Sequence, residues 1–72
     1  MKTVEVFKTN ITESSVAADV VERLLHLMPQ CKINFDLSDC DNILRVESLE
    51  LINIQMIKTH LNTIGFSAEL LE

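Results

Sequence analysis

Seven consecutive residues constrain this chain more than any others: Cys31, Ile33, Phe35 and Leu37 alternate with Lys32, Asn34 and Asp36. A period of two puts each set on its own face of a strand, so this segment needs an apolar layer on one side and water on the other. Ser38-Asp39-Cys40-Asp41-Asn42 then reads as a turn, and Ile43 to Glu47 as the returning strand. A lone hairpin is barely stable in water. The rest of the chain must supply the covering layer.

Two stretches have helical spacing. From Ser14, the apolar positions Val16, Ala17, Val20, Val21, Leu24, Leu27 and Met28 fall on one arc, with Ser15, Asp19, Glu22, Arg23 and His26 opposite. Thr12 or Asn10 is expected to cap this helix, Asn10 forming a capping box with Glu13, and Pro29 ends it. The segment after Glu47 partly alternates, but fifteen residues without a breaker favour a helix. Ser48 is its expected N-cap, Ile54, Ile57, Leu61 and Ile64 its stripe, and Gly65, the one glycine, its C-cap.

The ends of the chain alternate again. Val4 and Val6 against Thr3 and Glu5 predict a first strand over about Lys2 to Lys8 with the valines inward. Phe66, Ala68 and Leu70 predict a last one. The order βαββαβ in a single domain, residues 1–72, predicts an α+β ferredoxin-like fold, a four-stranded antiparallel sheet with both helices on one face. The other face is expected to carry Thr3, Glu5, Phe7, Lys32, Asn34, Asp36, Ile43, Arg45, Glu47, Ser67, Glu69 and Leu71. The turn after strand one, the Asp39–Asp41 tip and the Ile64-Gly65 corner should share one end of the sheet.

Composition excludes several functions. Hydrophobic residues make up 47% of 72, enough for one core and too many for disorder. Six basic residues stand against eleven acidic ones, net charge −5, with no Trp or Tyr. That is unsuited to phosphate backbones or base stacking, so no nucleic-acid partner is expected. Lys2, Glu5 and Lys8 interrupt the first eight residues, which leaves no apolar run of a signal peptide, and no segment has the roughly 18 apolar residues of a membrane span. The expectation is a cytoplasmic protein. Strand and turn between Cys31 and Cys40 would hold them too far apart for a disulfide, so both are expected as free thiols.

The pattern resembles the heavy-metal-associated domain, the module of copper chaperones and of the amino-terminal repeats of metal-pumping ATPases. Asn10-Ile11-Thr12-Glu13-Ser14-Ser15-Val16 stands where that family has its loop G-M-T-C-x-x-C, with Thr12 retained and Ile11 for Met. Val20 and Leu24 match its first helix, Ile33, Phe35, Leu37, Leu44 and Val46 its central hairpin. Leu61-x-x-Ile64-Gly65-Phe66-x-Ala68-Glu69 follows its closing I-x-x-x-G-Y-x-A. The resemblance implies a soft-metal site of two thiolates, yet those positions are Glu13 and Val16. Valine cannot ligate, and one carboxylate suits Cu(I) poorly. Lys8 falls where the family has an inward Val, which implies either an inward Phe7 at a bulge or a one-residue shift of the loop.

Other ligands are few. Asp39, Cys40 and Asp41, with His60 or Glu13 toward the same end of the fold, could form a displaced site whose mixed donors suit Zn²⁺ better than Cu(I). A solvated turn accounts for the tip residues more simply, since none has a CxxC or HxxxH spacing. Cys31 reads as a small core residue and His26 as an exposed helix residue. Neither histidine has a nucleophile at a meaningful spacing and there is no phosphate loop, so no enzyme and no cofactor are expected.

These observations predict a non-catalytic interaction domain, its partner another protein. The alternatives are metal handling through the displaced site, and a small-molecule regulatory domain, for which the first loop lacks the glycine of a close backbone approach. Ile52 and Met56 form a second apolar line on helix two, either the flank of a broad core or a partner surface. Glu69 and Glu72 on the closing strand discourage edge pairing, so a monomer at micromolar concentration is expected.

Overall fold

The computed structural model describes residues 2–71. Its elements are β1 (Thr3–Thr9), α1 (Ser14–Leu27), β2 (Lys32–Asp36), β3 (Ile43–Ser48), α2 (Ile54–Thr63) and β4 (Ala68–Leu70). All strand pairs are antiparallel and the sheet order is β2-β3-β1-β4, the ferredoxin-like α+β arrangement. The core takes Ile33, Leu44, Val46, Phe7 and Ala68 from the sheet, Ala17, Val20 and Leu24 from α1, and Ile57 and Leu61 from α2. Both helices therefore cover the same face. No helix among the described residues is long and apolar enough to cross a membrane, and Glu72 lies outside the described residues.

The first strand lies in the opposite phase from the one its valines predict. Its register with β3 is unbroken from Thr3↔Ser48 to Lys8↔Ile43, pairing Phe7 with Leu44 and Glu5 with Val46. Directly opposite residues share a face, so Phe7 points into the core, fully buried, and no bulge is needed to turn it. Val4 and Val6 lie on the open face and are half-buried. Charge decides between the phases. Valines inward would put Lys8 under the loops at the closed end, where an ammonium loses its water. The observed phase puts Glu5 inward instead, beyond the reach of β4, which pairs only with Phe7 to Thr9, and Glu5 stays partly solvated.

Helix ends also differ. Neither Thr12 nor Asn10 caps α1: Glu13 holds the N-cap position with an extended backbone and no side-chain cap bond. α1 stops at Leu27, with Met28 in a non-helical conformation before Pro29, as the proline demands. α2 begins at Ile54, five residues later than a cap at Ser48 would start it. Asn53 is the cap, its side chain accepting from Met56 N–H at 3.0 Å. Ser48 is buried at the end of β3 and its hydroxyl accepts from Glu50 N–H at 3.0 Å, an ST turn that holds the chain out of the helix. Leu49 and Leu51 are left exposed. At the other end Gly65, at φ +95°, closes a Schellman motif: Phe66 N–H donates to Leu61 C=O at 2.8 Å and Gly65 N–H to Asn62 C=O at 3.1 Å. Phe66 is used in that closure, which delays β4 to Ala68.

Candidate functional site

Three loops meet at the end of the sheet where β1 finishes, and Thr9 joins two of them. Its N–H donates to Asp41 C=O at 3.1 Å and its hydroxyl to Asn42 C=O at 2.6 Å. The same hydroxyl accepts from Ile11 N–H at 3.2 Å, and Ile11 is fully buried, anchoring the first loop in the core. Asn10 joins the third loop, its side-chain oxygen accepting from Ser67 N–H at 2.9 Å. Thr9 is absent from the candidates above. Its signal in the sequence is its shared parity with Phe7, hidden by the opposite phase inferred from Val4 and Val6.

Glu13 and Val16, the positions compared above with a thiolate pair, carry no soft-metal ligand chemistry. Glu13 is exposed, its carbonyl accepting from Ala17 N–H at 3.0 Å. Val16, in the first turn of α1, is half-buried and packs on the core beside Ile64 and Phe66. An apolar side chain and a solvated carboxylate do not fit a soft metal ion.

Among the described residues one group of three or more candidate ligands converges: donor atoms of Asp39, Cys40 and Asp41 lie within 4.8 Å of one another. His60 and Glu13 are not part of it. The tip geometry is explained by turn chemistry. Asp39 accepts from Asp41 N–H at 2.9 Å through its side chain and from Asn42 N–H at 3.0 Å through its carbonyl, and Asn42 takes φ +48°. Asp41 is 3.8 Å from the Lys8 ammonium, an exposed pair of small energetic weight. Cys40 is exposed, Cys31 is buried, and both are free thiols.

His60 is half-buried on α2, and its Nε2 has no hydrogen-bond partner and no water access. It lies in a shallow groove with Leu27 and Met56. Met56 and Ile52 are half-buried and pack against the core. His26 is exposed in the last turn of α1.

The open face of the sheet combines apolar and charged groups. Rows run Lys32-Glu47-Val4, Asn34-Arg45-Val6 and Asp36-Ile43-Lys8-Glu69. Glu47 takes a bond from the Lys2 ammonium at 3.2 Å, which, with the charges of Lys2, Arg45 and Lys32, holds its carboxyl below the usual range. At the far corner the Ser38 hydroxyl and then its N–H donate to Asp36, lowering that carboxyl too.

The fold and its loops define the class: a small ferredoxin-like α+β domain with no thiolate pair at its first loop. No family model, curated protein or solved structure matches the chain.

Proposed function

We propose that this chain is a non-catalytic protein-interaction domain of heavy-metal-associated type without the thiolate metal site of that type. The reading is carried by one observation: the two positions that would bear thiolates hold a solvated carboxylate and a core-packed valine. The first loop keeps its shape by other means, through Thr9, Asn10 and buried Ile11. The domain is cytoplasmic, a monomer at low micromolar concentration, and its partner is another protein. Titration with Cu(I) against a strong chelator tests this, with no tight stoichiometric site expected. One such site in the wild-type chain would overturn the reading.

A second reading is favoured by the convergence of Asp39, Cys40 and Asp41: a metal-handling protein with its site at the hairpin tip. Adding Zn²⁺ should then move the amide resonances of the tip, and those of Glu13 or His60 if they complete the shell. An unchanged spectrum removes this alternative.

A further inference from the structure

The β2 edge of the sheet is open. None of the turn and loop bonds among the described residues uses the backbone of Lys32–Asp36, so the row of groups facing away from β3 has no partner in the chain. Beside it a groove runs between Ile33, Phe35 and Leu37 on one wall and Ala17, Ala18 and Val21 of α1 on the other. Ala18 is exposed and Phe35, Leu37 and Val21 are half-buried, so the small helix residues leave the trough unfilled. An unpaired edge above an apolar trough is a template for one more strand, whose backbone bonds to the edge and whose alternate side chains fill the trough.

The charges say which strand. Lys32-Ile33-Asn34-Phe35-Asp36 is complementary to its own reverse. An antiparallel pair centred on Asn34 sets Lys32 opposite the partner's Asp36, Ile33 opposite the partner's Phe35, and Asn34 opposite the partner's Asn34. Opposite residues share a face, so the ion pairs would lie on the open face and the apolar pairs in the groove. An in-register parallel pair sets Lys32 against Lys32 and Asp36 against Asp36, and a one-residue slip of the antiparallel pair sets polar residues opposite apolar ones. Edge charges commonly prevent sheet-to-sheet pairing; this arrangement favours the one antiparallel register in which both ion pairs form.

The geometry points to a second copy of this chain as the occupant, joined β2 to β2 about a two-fold axis into one sheet of eight strands, twice the four of each copy. A five-residue edge with its groove falls short of the roughly 1,200–2,000 Å² of a stable interface. Pairing is therefore expected only at tens to hundreds of micromolar, and the monomer prevails below. The surface contains neither Glu13 nor Val16, and its test reads mass rather than metal.

Sedimentation equilibrium of the full chain should show a mass rising from 8.2 kDa toward twice that value with concentration. Lys32→Glu and Asp36→Lys each set like charges opposite in both symmetric pairs, and each should raise the dissociation constant on the order of tenfold or more. An equimolar mixture of the two variants restores both attractions and should pair at least as well as the wild type. Ala18→Arg changes only an exposed helix position, so the fold persists and pairing should be lost. As a second measurement, amide exchange within residues 32–36 should slow with concentration in the wild type and in the mixture, and not in Ala18→Arg. A mass of 8.2 kDa persisting to about 500 µM, a dimer indifferent to Lys32→Glu and Ala18→Arg, or a mixture that fails to pair would each overturn the inference.

Discussion

The phase of β1 can be tested by two substitutions one residue apart. Phe7 is fully buried opposite Leu44, so Phe7→Ala should destabilise the domain by about 3–5 kcal/mol. A chain of 72 residues has a total stability of about 4–11 kcal/mol, so this one change removes about a quarter of it at least. Val6→Thr keeps shape and β-branching on the open face and should cost less than about 0.5 kcal/mol. With Val6 in the core, the same change would bury an unpaired hydroxyl at about 1–3 kcal/mol. The chain has no Trp or Tyr, so far-UV circular dichroism in urea is the assay. With a denaturant slope near 1 kcal/mol/M, Phe7→Ala should lower the midpoint by about 3 M or leave no transition, and Val6→Thr should move it by no more than about 0.5 M. A Val6→Thr midpoint loss of about 1 M or more would refute the register.

Three further outcomes follow from the loops and the charged corners. Thr9→Val should lose about 1–3 kcal/mol, since Asn42 C=O and Ile11 N–H lose the same hydroxyl, while Thr9→Ser recovers most of it; equal midpoints for the two variants would contradict that role. Gly65→Ala meets no atom within 4 Å, so its cost is that of a left-handed backbone alone, about 1–2 kcal/mol, and Gly65→Asn should cost less than Gly65→Ala in the same assay. Asp36 and Glu47 are both held below the usual carboxylate range when folded, so the unfolded chain takes up protons first as pH falls. Their contribution is complete above about pH 5 and disappears as pH drops through the depressed folded values; urea midpoints of Asp36→Asn and Glu47→Gln should therefore fall less steeply from about pH 5 to 3 than those of the wild type.

Much of the fold is legible in local pattern. The alternation at Ile33 and Phe35, the stripe of Val20 and Leu24, and Pro29 and Gly65 as stops act through neighbours a few residues away, and the observed elements follow them. Helix starts were less legible. Asn10, Thr12 and Ser48 are all competent caps, but Asn10 is drawn to Ser67, fifty-seven residues away, and Ser48 is taken into the end of β3. A cap residue with a competing tertiary partner gives no local sign of it.

The candidate site divides in the same way. Sequence alone determines that Glu13 and Val16 offer no thiolate at the start of the first helix, because ligand chemistry belongs to the side chain wherever it lies. It likewise determines the self-complementary charges of Lys32-Ile33-Asn34-Phe35-Asp36. Only the tertiary structure decides that Phe7, not Val6, enters the core, since the choice depends on which end of β1 is closed over by loops and can least tolerate a charge. Only it makes Thr9 a link between loops thirty-three residues apart, and leaves β2 at an edge beside small helix residues. Alternation fixes that a strand has two faces; pairing with β3 and the burial of Lys8 or Glu5 fix which face is which.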